Sequence, residues 1–331
     1  MMKAYKVILF FSLIAGLTAC DVKKYNTHPD KIKFDSAALY PEGVDWDPKN
    51  HRFLVTSIRK GEIGSVKDDG TYWVFAKDSR MVSSVGIKID AERDRVLVCN
   101  ADPGAAEKSS KQTTGKLAGL AAFSLSSGKL IQYIDLARDI EGGHFCNDLT
   151  IDKDGTAYIT DSFSPIIYKV DKNYNASVLV NNKTFSGKSF NLNGIVVKDG
   201  YLLAVKMNSG QLFKIPLDNP NAFNEVKLKK PVYGADGLSW GPDGSLIIIA
   251  NNNAYVGATP AIATNKVLKL KSADNWQSAK VLGQADTGDV FATTGTVRNG
   301  QFYVIHAMLH VLFNPETKQH LEQFNIVKYN P

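Results

Sequence analysis

The sequence predicts an all-β chain folded as a six-bladed β-propeller, each blade a four-stranded antiparallel sheet around a central channel. Three observations carry this expectation. A unit of about forty to fifty residues recurs six times, the period expected of propeller blades. Asp-Gly and Asn-Gly pairs stand between short apolar runs, the strongest short-range hairpin signal. No helical periodicity longer than a few turns interrupts the pattern, which leaves α/β alternatives weak. At 331 residues the chain is long enough for one large β unit.

The first nineteen residues stand apart. Lys3 and Lys6 precede the apolar run "VILFFSLIAGL", too short for a comfortable membrane span and laid out like a secretory signal. It ends in "LTAC", which resembles the bacterial lipobox, so Cys20 is expected to carry lipid; a plain signal with a chance cysteine is the other reading. The expected organisation is a lipoprotein signal peptide over residues 1–19, a tether over 20–30 and a propeller over 31–331, held at the bacterial cell envelope by lipid on Cys20, with the leaflet open. A net charge of +6, reduced to +4 without the two signal lysines, is too small and dispersed for nucleic acid. A monomer is expected. Cys99 and Cys146 remain as a possible pair or as small buried apolar residues.

The six copies read "EGVDWDPKNHRFLVTS", "VGIKIDAERDRVLVCN", "NDLTIDKDGTAYITDS", "NGIVVKDGYLLAVKMN", "DGLSWGPDGSLIIIAN" and "TGTVRNGQFYVIHAM". The turns at Asp154-Gly155, Asp199-Gly200, Asp243-Gly244 and Asn299-Gly300 suit hairpins whose two central residues take positive φ. Two more strands follow in each unit, as in "GQLFKIP" and then "NEVKL". Insertions fall between second and third strands, "NADPGAAEKSSKQTTGK" in the second unit and "NNNAYVGATPAIATN" in the fifth. By topology they overhang the face from which the innermost strands start, and the lysines of "KSSKQTTGK" read as a mobile solvated loop. The ring closes either with "DKIKFDS" as the outer strand of the last blade or with "FNIVKY" completing that blade unaided.

Residues just before the innermost strands ring one mouth of the channel. They are Glu42, Val85, Asn147, Asn193, Asp236 and Thr294, and four of them carry side-chain oxygens. Two carboxylates and two amides with no cysteine or histidine form a hard-oxygen set suited to Ca²⁺. A lone Asn or Asp in such a place is an ordinary turn residue; four in one register of a repeat point to a metal. Glu42, Asn147, Asn193 and Asp236 are therefore the candidate ligands. The ends of the second strands form a further ring of Ser57, Asn100, Asp161, Lys206, Asn251 and His306. Of these Asp161 is the candidate substrate contact; His306 is a candidate proton shuttle, as is His144, because imidazole titrates near neutrality, with a buried, hydrogen-bonded histidine as the other reading of both. Lys206 reads as a solvated lysine.

On these motifs the chain resembles the calcium-dependent six-bladed propellers that include gluconolactonases, senescence-marker and luciferin-regenerating proteins and, more distantly, paraoxonases. "PEGV", "LNGI" and "ADGLSW" are similar to the family's ligand segments, which implies that Glu42, Asn193 and Asp236 hold the metal. "CNDLTID" matches its Asn-Asp segment, which implies that Asn147 faces metal or substrate with Asp148 behind it. Phe145 stands where the sugar-lactone hydrolases of the family place an arginine. The resemblance implies a calcium-dependent hydrolase acting on a small-molecule lactone or ester, with Asp236 as base and His306 behind it. A non-catalytic binding propeller with structural calcium is the competing expectation, and a strictosidine-synthase-like condensation fits the four-oxygen ring less well.

Overall fold

The computed structural model describes Met1 and residues 28–331; the signal and Cys20 lie outside the described residues. Six antiparallel sheets follow one another around a ring, so the architecture is a six-bladed β-propeller. The innermost strands are Val44–Asp47, Ser83–Asp90, His144–Ile151, Leu192–Lys198, Ala235–Trp240 and Ala292–Arg298, and each packs on the next, the sixth returning to the first. Among the described residues no helix is long and apolar enough to cross a membrane.

Closure follows the first of the two expected routes. Gln323–Tyr329 is the third strand of blade 6, and Lys31–Asp35, from the other end of the chain, pairs with it as the fourth. The strand alternates outward lysines with buried Ile32 and Phe34, and Phe34 packs on Tyr72 of blade 1 with ring centroids 5.9 Å apart. Burying each such side chain contributes about 1.5–3 kcal/mol.

The hairpin turns fall where expected, with one difference. Both central residues have positive φ at Asp199-Gly200 and Asn299-Gly300, whereas at Asp154-Gly155 and Asp243-Gly244 only the glycine does. The outer strand of blade 4 is also shorter than "NEVKL" suggests. It covers Asn224–Glu225, after which the chain crosses to blade 5 through Lys227 N–H to Gln277 O and Ala279 N–H to Lys227 O.

The blade 2 insertion is organised rather than loose. Asp102, fully buried, accepts hydrogen bonds from Gly104 N (2.7 Å), Ser109 Oγ, Thr113 Oγ1 (2.7 Å) and Thr114 Oγ1 (3.0 Å). One carboxylate thus gathers the segment that composition assigned to mobile solvent-facing loop. Past it, Lys116–Leu117 adds a short parallel strand beside His144–Phe145. Cys99 and Cys146 are both buried free thiols in contact, not a disulfide.

Candidate functional site

Five of the six innermost strands carry a bulge near their start, leaving two residues outside the regular ladder: Val85-Gly86, Asn147-Asp148, Asn193-Gly194, Asp236-Gly237 and Thr293-Thr294. Bulges re-aim side chains in this way beside functional sites. With Glu42-Gly43 leading into blade 1, the first residue of each pair faces the channel. Glu42, Val85, Asn147, Asn193, Asp236 and Thr293 all line one pocket of about 410 Å³ of empty space. The sixth ring position is therefore Thr293, not Thr294.

The second residue of each pair explains how tightly the ring closes. A Cβ on Gly43, Gly86 or Gly237 would stand 2.5 Å from the carbonyl oxygen of the next blade's ring residue, and closer still at Gly194. Where glycine is missing, a polar side chain makes the same junction. Thr294 Oγ1 donates to Glu42 O (2.8 Å) and accepts from Val44 N (3.1 Å). Asp148 accepts from Leu149 N (2.8 Å) and takes a backbone hydrogen bond from Ile195 of blade 4. Asp148 thus sits behind Asn147, as the resemblance implied.

The ring's amides are fixed with their oxygens unpaired. Asn147 Nδ2 donates to Ser162 Oγ (2.7 Å), whose hydroxyl donates on to Leu192 O (2.5 Å). Asn193 Nδ2 contacts Met207 Sδ (3.4 Å). Asn251 Nδ2 donates to Asp236 Oδ2 (2.5 Å) and to Ala292 O (3.2 Å). Asn147 Oδ1, Asn193 Oδ1 and Glu42 Oε2 are buried and have no hydrogen-bond donor among the described residues. Each unsatisfied buried oxygen costs about 1–3 kcal/mol, more if charged, so three together at one mouth call for a shared electrophile.

Electrostatics agree. Burial raises the carboxyls of Glu42 and Asp236 above their ordinary range, and the negative charges facing them, Asp236 and Asp148 for Glu42 and Asp148 for Asp236, raise them further. Asp148 is pushed up to about 6 by burial, with Lys88 pulling it back. No lysine or arginine among the described residues lines the pocket itself, and a hard cation there would offset the negative charge. Among the described residues no three His, Cys, Asp or Glu side chains are grouped to hold a metal; the donor set here is half amide, a composition that suits Ca²⁺ and not zinc.

The walls are apolar. Phe145 and Phe190 meet edge to face at 5.1 Å, with Phe163 behind both, and Ile58, Met207, Phe291, Leu309 and Phe313 complete most of the lining. Pro103 and Val256 bring both expected insertions to the pocket. A third overhang was not foreseen: the short helix Leu309–Leu312 between the second and third strands of blade 6, in a stretch that matches no part of the repeat. Its His310 stacks on Tyr255 and Phe291.

Three expected contacts lie elsewhere. Asp161 is fully buried in blade 3, where Oδ1 accepts from the backbone N–H groups of Phe145, Phe163 and Ser164 and Oδ2 meets His144 Nδ1 (2.7 Å) and the Tyr168 hydroxyl (3.0 Å). Its oxygens are taken, and it is a structural residue. His144 is held at both ring nitrogens, the second by Ile140 O. His306 does not line the pocket; its Nε2 meets the Tyr329 hydroxyl at 2.9 Å, and burial lowers its pKa to about 4. Lys206, read as solvated, is buried and donates to Thr184 O and Ser186 O.

No family model matches this chain, and no curated protein matches it in sequence. Solved structures do. The major allergen Mala s 1 of Malassezia sympodialis is similar with 14% identity over 91% of this chain and 96% of that one, at a TM-score of 0.64. A luciferin-regenerating enzyme matches with 11% identity over 90% and 95%, TM-score 0.60. A regucalcin of Agrobacterium tumefaciens, a calcium-binding protein, matches with 15% identity over 88% and 92%, TM-score 0.58. At such identities the likeness establishes the fold alone.

Proposed function

We propose that the channel mouth binds one Ca²⁺ through Glu42, Asn147, Asn193 and Asp236, and that the chain hydrolyses lactones or related esters with apolar substituents. The observation that carries this reading is the convergence of three donorless buried oxygens and Asp236 on a pocket with aromatic walls. The similarity to a calcium-binding regucalcin and to a luciferin-regenerating enzyme supports it. When bound, the cation would supply Lewis acidity toward a carbonyl oxygen. The protein's own contribution is positional. Asn251 holds one oxygen of Asp236, the amide nitrogens of Asn147 and Asn193 are tied back, and Phe145, Phe190 and Phe291 exclude water from an ester seated above them. Asp236, with one carboxylate oxygen held by Asn251, is the base in this scheme. With Phe145 on the wall, the pocket suits an apolar acyl group over a polyol.

The competing reading, a binding propeller with structural calcium, is favoured by one observation: the pocket lining contains no histidine and no carboxylate outside the ring. Elemental analysis of the purified protein and a lactone and aryl-ester panel with and without chelator separate the two. Turnover lost on chelation and regained with Ca²⁺ supports the hydrolase, whereas bound calcium without turnover supports the binder. Asp236→Ala is expected to lose metal and activity together; unchanged activity removes the proposed site. We also propose lipid attachment at Cys20, tested by fatty-acid labelling of the chain and its loss in Cys20→Ala.

A further inference from the structure

Beside the channel pocket lies a second, solvent-open cavity of about 810 Å³, and Phe313 lines both. Two segments that stand outside the common blade pattern build it. Tyr255 comes from the insertion of blade 5, in the turn Asn253–Val256, and His310 comes from the helix Leu309–Leu312 of blade 6. Their chain neighbours Val256 and Leu309 line the channel pocket, so the same two overhangs wall both cavities.

The wall is aromatic and open. Tyr255 is 41% exposed, and His310, Val311 and Phe313 are half-buried. The Tyr255 ring is held in place all the same: its hydroxyl donates to Asp289 Oδ2 (2.8 Å), and the ring stacks on His310 with centroids 5.1 Å and planes 27° apart. His310 in turn lies 28° from the plane of Phe291, at 6.4 Å. Nδ1 of His310 is buried with no hydrogen-bond partner among the described residues, so stacking and not that nitrogen positions the ring. Burial lowers its pKa, against an opposing pull from Asp289, which keeps the imidazole neutral at neutral pH. The polar side chains beside it serve their own turn: Asn314 Oδ1 accepts from Glu316 N (3.0 Å), and Thr317 Oγ1 donates to Val311 O (2.7 Å). No charged side chain among the described residues lines the cavity.

We propose that this cavity binds a flat, uncharged aromatic ring, which stacks on the open part of Tyr255 and extends the row of Tyr255, His310 and Phe291. An exposed aromatic face that is already held loses little freedom on binding, and offset stacking favours a planar partner over a puckered one of the same skeleton. An anion or a cation would find no counter-charge on the lining, because Asp289 is engaged by the Tyr255 hydroxyl and stands outside it. The cavity adjoins the proposed hydrolase pocket, but binding there depends on neither metal nor turnover.

The test is calorimetric titration of the full chain, with chelator present, against 2-naphthol and its saturated counterpart decahydro-2-naphthol. The aromatic alcohol is expected to bind about tenfold more tightly, the preference that stacking supplies. Tyr255→Leu should remove the preference without moving the melting temperature, since the side chain is exposed, and Tyr255→Phe should keep it. His310→Leu should weaken it. Equal affinity for the two alcohols, no binding of 2-naphthol, a preference that survives Tyr255→Leu, or tighter binding of tetramethylammonium each overturns the proposal; the last would make the exposed ring a cation site. Because chelator and a non-ester probe exclude turnover, these outcomes are separate from those that decide the hydrolase.

Discussion

At the end of the ring away from the pocket, where each innermost strand turns into the second, the six blades divide into two groups. The residue pairs that close these hairpins are Asp47 with Arg52, Asp90 with Arg95, Ile151 with Ala157, Lys198 with Tyr201, Trp240 with Leu246 and Arg298 with Gln301. Three carry a buried guanidinium that reaches the neighbouring blade. Arg52 pairs with Asp47 and donates to Leu125 O of blade 2; Arg95 pairs with Asp90 and donates to Gly155 O of blade 3. Arg298 makes a two-pronged pair with Asp68 of blade 1 and lies 4.2 Å from the centroid of Trp46. The junctions from blade 3 to blade 6 have no such group. At 4–5 the hairpin end offers Trp240 Nε1 to Val197 O (3.0 Å) and Lys198 over the Trp240 ring. The stitched side is the one that contains the seam between the two chain ends, and the unstitched side is the one where the outer strand of blade 4 runs only two residues. One fold thus combines three junctions clamped by guanidiniums with three that lack them, while the proposed ligands, on blades 1, 3, 4 and 5, span both.

The comparison is broken or kept by the largest effect it implies. Among the described residues Arg52→Ala removes the one charged partner of Asp47, whose side chain is fully buried and then keeps hydrogen bonds from Lys49 N and the Asn50 amides. Breaking a buried pair from one side costs about 3–5 kcal/mol, and the unfolding midpoint in urea should fall accordingly. Arg95→Ala should cost less, since Arg93 Nη1 still contacts Asp90 at 3.1 Å. Equal or reversed losses would mean that the guanidiniums are not what joins these blades.

What the sequence disclosed and what it hid follow the same physical line. Hairpin turns were legible because positive φ selects glycine and asparagine, and the ring of Glu42, Asn147, Asn193 and Asp236 was legible because a repeat makes register visible. The sixth position was misread by one residue, Thr294 for Thr293, because Thr294-Gly295 mimics the residue-glycine pairs of the other units while the bulged pair of blade 6 is Thr293-Thr294. Asp161, expected at the pocket, serves the interior of blade 3, and His306 that of blade 6, because tyrosines and a histidine on neighbouring strands take up their polar atoms. The anchors Ser162, Met207 and Asn251 stand at or just past the second-strand ends of the same blades as the residues they hold, but which of them reaches a ring side chain depends on packing that the repeat does not encode, and the wall supplied by Phe190 and Leu309–Leu312 comes from connections outside the repeat.

The seam in blade 6 sharpens the comparison through pH. Burial lowers His306 to about 4, with Lys31 on the closing strand adding like charge and the Tyr329 hydroxyl as its hydrogen-bond partner. The folded state favours the neutral ring, so its contribution is fully present above the ordinary histidine pKa of about 6.5 and is lost as pH falls toward 4. That difference corresponds to about 3 kcal/mol at most. Urea midpoints of the wild type should therefore drop more steeply between pH 7 and 4.5 than those of His306→Gln. Parallel profiles would place the acid sensitivity somewhere other than the closing sheet.

The smallest effect belongs to the unstitched side. Lys198→Ala removes an ammonium 4.8 Å from the centroid of Trp240 but leaves the indole N–H on Val197 O and the apolar contact between blades 4 and 5 in place. A part-exposed cation over an aromatic ring contributes about 0.5–1 kcal/mol, so the urea midpoint should shift only slightly. The ratio of this loss to that of Arg52→Ala measures the asymmetry directly. If the two substitutions cost the same, the junctions are equivalent and the guanidiniums add nothing particular; if Lys198→Ala is nearly silent, blades 4 and 5 are joined at that level by apolar packing and the indole hydrogen bond, with no charged clamp.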